Sequence, residues 1–299
     1  MAYRNLMVES PAHISCKQNQ LVVCTTQTSS VPIEDICAVL IENRQTVITT
    51  AALAALAQNG SAVYVCDEKH LPCGVLLPFA SHSRQLAVVR GQMEASLPHK
   101  KRLWQQVVQA KIANQAQCLA LCGKQQEAAA LLGRAKTVTS GDKENAEAAA
   151  AAYYFPALFG AGFTRSAQDG RNAALNYGYA ILRGAMARSV AAYGFLPCLG
   201  LHHCSELNAF NLADDLMEPY RPVVDLYAAA NISEDSPLTP VLKRCLYNLL
   251  NVEIRINNQR HSVAYAMEQT VQSLRRCTQD GQARLSLPTL LAHRQHGYE

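Results

Sequence analysis

A chain of 299 residues with 49% apolar and 17% charged residues has enough apolar mass for a large core, which excludes a disordered polypeptide and leaves room for one large or two moderate domains. Its formal net charge of +4 is compatible with nucleic acid without demanding it, and no apolar run is long enough to span a bilayer. Eleven cysteines occur in no C-x-x-C pair, and the opening MAYRNLMVES is not a secretory signal, so reduced, mostly buried thiols in a cytoplasmic protein are expected. Cys118 and Cys122 are four residues apart on an expected helix, a spacing that binds metal only with further ligands nearby.

From the N-terminus, short apolar or alternating runs predict strands over 5–10, 13–17, 20–26, 36–43, 61–67 and 74–79, divided by Lys17-Gln18-Asn19, Val31-Pro32, Asn59-Gly60 and Leu71-Pro72. One helix interrupts them, TTAALAALAQN, with Thr49 as its cap and Gly60 after its end. After Pro78 the period changes to about 3.6, and helices are predicted over 84–95, 100–121, 125–135, 143–152, 170–193, 211–229, 241–250 and 260–277. The fold class is therefore α+β, a β-rich domain over 1–79 followed by an all-α-helical domain over 80–299. The first half has few basic residues and no clustered acids, so its expected role is assembly. The second half carries the charge, and Arg165, Arg171, Arg183, Arg221, Lys243 and Arg244 are its candidate contacts to a nucleic-acid backbone.

Two stretches carry the chemistry. Residues 199–225 hold two histidines, five acids and Arg221 between apolar flanks. His203 and Glu218 are fifteen residues apart, roughly 22 Å on one straight helix, so they meet only if the chain turns back between them. A polar segment up to Asn211, the expected cap of the next helix, permits that turn, and Pro219 and Pro222 break the helix beside its acids. Asp214, Asp215 and Glu218 share a helix face and need a cation between them, which either a metal or Arg221 supplies. The second stretch, GDKENAEAAAAAYYF over 141–155, places Glu147 just ahead of a run of five alanines that lets neighbouring helices pack closely.

Together these motifs resemble a known family. G-D-x-x-N-x-E-x-x-A-A, then D-G-x-N-A-A-L-N-Y-G-Y over 169–179, then G-L-H-H through D-D-L-M-E-P-Y-R-P are similar to the CRISPR-associated integrase of spacer acquisition ("Cas one"). The first half resembles it too, through V-P-I-E-D-I-C-A-V-L-I-E-N, T-T-A-A-L and Leu-Leu-Pro-Phe, and the short His-His and D-L-M-E-P forms look most like the type II version. The resemblance implies a β-domain that dimerises and a helical catalytic domain whose metal ligands and catalytic residues are Glu147, His203 and Glu218. His203 is preferred to His202 for its separation from Glu218, and Asp215 is the expected outer ligand or orienter of His203. Ala148 departs from a family pattern that often has Gly there. It further implies Mn²⁺ or Mg²⁺, attack of a DNA 3′-hydroxyl on a repeat phosphodiester, and double-stranded DNA as partner. A homodimer is implied, two of which join a small partner ("Cas two") in a heterohexamer. Two other readings stand beside it: a metal-free nucleic-acid-binding scaffold in which Arg221 and other cations pair with the acids, and a metal-dependent hydrolase of small phosphate esters.

Overall fold

A computed structural model of the protein describes residues 4–68, 72–78, 84–281 and 283–297. Four strands form the first sheet in the order β1 (Arg4–Val8), β5 (Ile36–Ile41), β7 (Ala62–Cys66) and β8 (Pro72–Leu76); the first three are parallel and β8 is antiparallel to β7. A second sheet runs in the order β4 (Thr28–Pro32), β3 (Gln20–Cys24), β2 (His13–Lys17) and β6 (Val47–Ile48). The β2–β3 hairpin turns through Gln18 and Asn19, both with positive φ, as a two-residue loop of this handedness requires. Strand β4 and the two-residue β6 lay outside the predicted runs; TSSVP has little apolar alternation, and only its pairing to β3 makes it a strand.

Every residue of β5 is buried, because this sheet has no solvent face there. Ala38 and Leu40 pack with Ala62 and Tyr64 into the large core shared with the helices. Ile36, Val39 and Ile41 face the other way and form a smaller core with Ile14, Leu21, and with Ala52 and Leu56 of α1 (Thr50–Gln58). Thr49 caps α1 as expected, its side chain accepting from Ala52 N at 3.2 Å.

The helical region comprises α2 (Gln85–Glu94), α3 (Leu97–Leu121), α4 (Gln125–Lys136), α5 (Ala146–Phe159), α6 (Gly170–Ala192), α7 (Asn211–Met217), α8 (Arg221–Asn231), α9 (Pro240–Tyr247) and α10 (Val263–Asp280). It is not purely helical. β9 (Glu253–Ile256) and β10 (Gln259–Ser262) form a hairpin where the sequence predicted the start of a helix at Arg260. Asn257 and Asn258 both adopt positive φ, so an Asn-Asn turn overrides the helical periodicity that follows it. The expected helix over 211–229 is three pieces, because Pro219 forces the short 3₁₀ turn Glu218–Tyr220 between α7 and α8. The helix expected over 143–152 continues through Pro156 as far as Phe159.

The predicted domain boundary at 79–80 lies outside the described residues. The halves on either side are closely joined. Lys243 pairs with Glu42 at 2.9 Å with both side chains buried, Arg244 pairs with Glu9, and Arg188 donates to Gly60 O at 2.9 Å. A Cβ on Gly184 of α6 would lie 2.0 Å from the Tyr64 ring, so this glycine lets β7 sit directly on α6. The cysteines are all free, but only Cys37, Cys118 and Cys277 are buried; the expectation of mostly buried thiols does not hold. No helix among the described residues is long and apolar enough to cross a membrane.

Candidate active site at the meeting of α3, α5 and α7

Glu147 is presented by the first turn of α5. The preceding residues turn sharply, with Gly141, Asp142 and Asn145 all at positive φ, so the helix begins at Ala146 and not at the expected Lys143. The Asp142 carboxylate accepts from Ala146 N at 2.8 Å and Glu147 N at 3.1 Å, which caps the helix and explains the Gly-Asp spacing before the Glu.

His203 is placed by a loop wrapped around one carboxylate. Asp215, fully buried on α7, accepts from the backbone N–H groups of Leu201 (2.6 Å), His202 (2.9 Å) and His203 (3.2 Å), and from His203 Nδ1 at 2.5 Å. A carboxylate only accepts, so Nδ1 carries the proton and Nε2 presents its lone pair. Gly200 makes the wrap possible, since a Cβ there would lie 2.2 Å from His203 O and 2.8 Å from Asp215 Oδ2. The hydrogen bond to Asp215 pushes the His203 pKa up against the opposing effect of burial, and the charges of Glu218 and Glu147 add to it. The His202 ring stacks on the buried Trp104 of α3, with centroids 4.5 Å apart and planes parallel to within 1°. Asn211, expected to cap α7 with its side chain, instead starts the helix and holds the loop by donating to Cys198 O and Ser205 O.

Glu218 and Glu147 converge on one cation. Lys111 Nζ, from the middle of α3, stands 2.6 Å from Glu147 Oε1 and 2.5 Å from Glu218 Oε2. Arg221 holds the other Glu218 oxygen, Nε to Oε1 at 2.8 Å, and its guanidinium lies 4.5 Å from the centroid of the Tyr179 ring. Burial raises the Glu218 pKa, but Lys111 and Arg221 outweigh it and hold the carboxyl below its ordinary value. Lys111 is likewise held above its ordinary value, the two glutamates prevailing over the burial that would neutralise it. Both contacts to Glu218 are ion pairs without hydrogen-bond alignment, so Glu218 Oε2 and Arg221 Nε are each buried without a hydrogen bond.

A cavity of about 480 Å³ reaches the Glu218 and Arg221 end of this cluster, lined also by Arg165, Tyr179, Arg183 and His203, with Glu147 and Lys111 outside its lining. The strand-rich half closes its other wall with Tyr64, Cys73 and Val75, so that half contributes to the site as well as to any assembly. Of the six predicted backbone contacts, Arg165, Arg183 and Arg221 meet here. Arg183 forks onto Asp214, Nε to Oδ1 at 2.6 Å, and the hydrogen bonds from Arg183 and Asn208 hold Asp214 below its ordinary pKa against burial. Arg171 lies outside the lining, bonded to Glu234 at 3.0 Å and Ile232 O at 3.1 Å. Lys243 is only 4% exposed and neutralised by Glu42, which removes it from any DNA surface, and the Arg244 guanidinium is tied to Glu9.

Lys111, Asn114 and Trp104 were not among the predicted site residues. A signal existed: Leu103, Trp104, Val107, Val108, Lys111, Ile112 and Gln115 recur at helical spacing, so Lys111 falls on the buried face of α3, where a charge needs partners. Asn114, one turn on, donates to Pro219 O at 2.7 Å and pins the turn that carries Glu218.

The family described as "CRISPR associated protein Cas1" matches residues 6–236. The chain belongs to the Cas1 family. This Cas1 is 43% identical over 306 residues to the CRISPR-associated endonuclease Cas1 of Neisseria meningitidis serogroup C (strain 8013), covering 100% of both chains. Among solved structures it resembles a casposase bound to integration product, with a TM-score of 0.77, 18% identity, and coverage of 95% of this chain and 92% of that one. It also resembles a Cas6-RT-Cas1–Cas2 complex, with a TM-score of 0.72, 19% identity, and coverage of 94% of this Cas1 and 35% of that chain. At those identities the structural likeness is one of fold. The β-rich half followed by a helical half is thus the Cas1 architecture, as the resemblance implied.

The residues present suit a divalent cation. Among the described residues no three His, Cys, Asp or Glu side chains form a preformed metal cluster, and Lys111 stands between the two that converge. The donor set is nevertheless apt: two carboxylates already gathered about one positive charge, one of them with an unsatisfied buried oxygen, beside an imidazole whose Nε2 is presented as an acceptor.

Proposed function

We propose that this Cas1 is a metal-dependent DNA endonuclease and integrase that inserts DNA fragments into a CRISPR repeat array. The observation that carries the reading is the convergence of Glu147 and Glu218 on one cation position, with Glu218 and His203 lining a cavity that three arginines also line. Glu147, His203 and Glu218 would hold Mn²⁺ or Mg²⁺, which when bound supplies Lewis-acid activation of the phosphate and of the attacking hydroxyl. The chain's own residues do the rest. Arg165, Arg183 and Arg221 bind phosphate oxygens and orient the strand; Arg183 and Arg221 are already anchored by Asp214 and Glu218 and so are preorganised. Asp215 fixes the His203 tautomer. In strand transfer a DNA 3′-oxygen forms a new bond to a repeat phosphorus while the P–O bond to the old 3′-oxygen breaks. The proton of the attacking hydroxyl leaves and one reaches the departing oxygen, so no external energy source is required.

Double-stranded DNA and the small partner "Cas two" complete this reading, with two Cas1 homodimers in a heterohexamer; the Cas1–Cas2 composition of a structural relative supports it. The test is strand transfer on repeat-containing DNA with Mn²⁺, with chelator, and with His203→Ala, each with and without the small partner. Activity that needs the metal and is lost in the variant while DNA binding persists is the expected result. Metal-independent activity or an active His203→Ala protein would refute the site. A second reading, a metal-free nucleic-acid scaffold, draws on Lys111 and Arg221 already neutralising the glutamates; tight DNA binding with no activity under any condition would favour it.

A further inference from the structure

We infer that Lys111 is a resident counter-ion of this site, and that a divalent cation enters by displacing its ammonium from between Glu147 and Glu218. The inference rests on the metal reading above. Lys111 is 8% exposed and reaches two carboxylates carried by different elements, Glu147 from the start of α5 and Glu218 from the turn after α7. Those carboxylates repel each other in a poorly solvated place, and a cation between them is what lets both stay ionised and near each other.

The two cations bound to Glu218 differ in kind. Arg221 is a planar fork with its guanidinium laid on Tyr179, which fixes its place. Lys111 is a point charge on a flexible four-carbon stem, shared between two carboxylates and stacked on no ring. It is therefore the cation that can leave. A divalent ion offers the same two carboxylates twice the charge at the same position, and ammonium and metal cannot both occupy it. The lysine thus keeps the carboxylates together before loading and sets a threshold that a metal must exceed to load.

The test is Mn²⁺ binding to the full chain, read from loss of the free-ion electron paramagnetic resonance signal, together with thermal melting in chelator and in Mn²⁺. Lys111→Met and Lys111→Gln should each bind Mn²⁺ at least roughly tenfold more tightly than wild type, because a competing charge in contact with the ion is gone. Lys111→Arg should not gain affinity, and Glu147→Gln should lose it. Both neutral variants should melt below wild type in chelator, and Mn²⁺ should raise their Tm by more than it raises that of wild type. Equal or weaker Mn²⁺ binding by both neutral variants, with wild type still binding, would overturn the displacement role and leave the metal reading intact. Failure of either neutral variant to fold even in excess Mn²⁺ would overturn it too. No Mn²⁺ binding by any folded protein, wild type included, would remove the metal reading and this inference with it.

Discussion

Four carboxylates within this Cas1, three of them buried and Glu147 half-buried, are kept in three different ways. Asp215 is held chiefly by backbone: three N–H groups and one imidazole N–H converge on it, and none of those amides can be withdrawn without unwrapping the loop. Glu147 and Glu218 are held by side-chain cations, Lys111 shared between them and Arg221 on Glu218, of which Lys111 is the one free to move. Asp225 is held by hydroxyls, Tyr154 donating at 3.0 Å and Tyr179 at 2.5 Å. Backbone donors make a scaffold, mobile cations make a site open to exchange, and hydroxyls tolerate a carboxyl that is partly protonated.

The largest effect belongs to the scaffold. Asp215→Ala leaves three amides and an imidazole without their acceptor, and it should cost about 3 kcal/mol or more and abolish strand transfer. Its signature is local: amide hydrogen exchange at Leu201, His202 and His203 should accelerate strongly, whereas Glu147→Gln should abolish activity with those amides still protected. Unchanged protection in Asp215→Ala would show that the loop is held by something other than this carboxylate.

A smaller effect comes from Asp225. Burial pushes its carboxyl up to about 6, against the hydrogen bonds from Tyr179 and Tyr154 and the charge of Arg221. An unfolded aspartate titrates near 3.9, so the folded protein holds this proton more tightly than the unfolded chain. Its contribution to stability is complete below about pH 4 and is lost as pH rises through about 6, a change of about 2–3 kcal/mol. Asp225→Asn does not titrate, so the stability of wild type relative to the variant should fall between pH 4 and 6 and then level off. Denaturant titrations across that range measure it, and a flat difference would mean that Asp225 is ionised throughout.

What the sequence revealed follows the same division. Glu147, His203, Asp215 and Glu218 stood out as candidates because their spacing is local: an acid after a Gly-Asp turn, a His-His loop, and acids beside Pro219. The pairing of His203 with Asp215 was legible too. Lys111 was not singled out, because its partners are 36 and 107 residues away and nothing local marks it except its place on an apolar helix face. Lys243 was misread for the complementary reason. A basic residue in a charged stretch reads as surface, and only the packing of α9 on the first half reveals Glu42 as its partner. The β9–β10 hairpin was hidden by helical periodicity beginning right after it.

The smallest effect separates the two adjacent histidines. His203 offers Nε2 to the site, while His202 gives its ring face to Trp104 and its backbone N–H to Asp215. On this division His202 is a positioning residue. Its ring contributes stacking worth about 0.5–1.5 kcal/mol, so His202→Ala should slow strand transfer by no more than roughly tenfold. His202→Phe should restore most of that loss, because a phenyl ring can stack on the indole but cannot ligate or titrate. Hydrogen exchange at the His203 amide should follow the same order, fastest in the alanine variant and near wild type in the phenylalanine variant. An inactive His202→Phe protein with a protected loop would show instead that the imidazole itself takes part in the chemistry, and the separation between scaffold and exchangeable site would then run through the His-His pair.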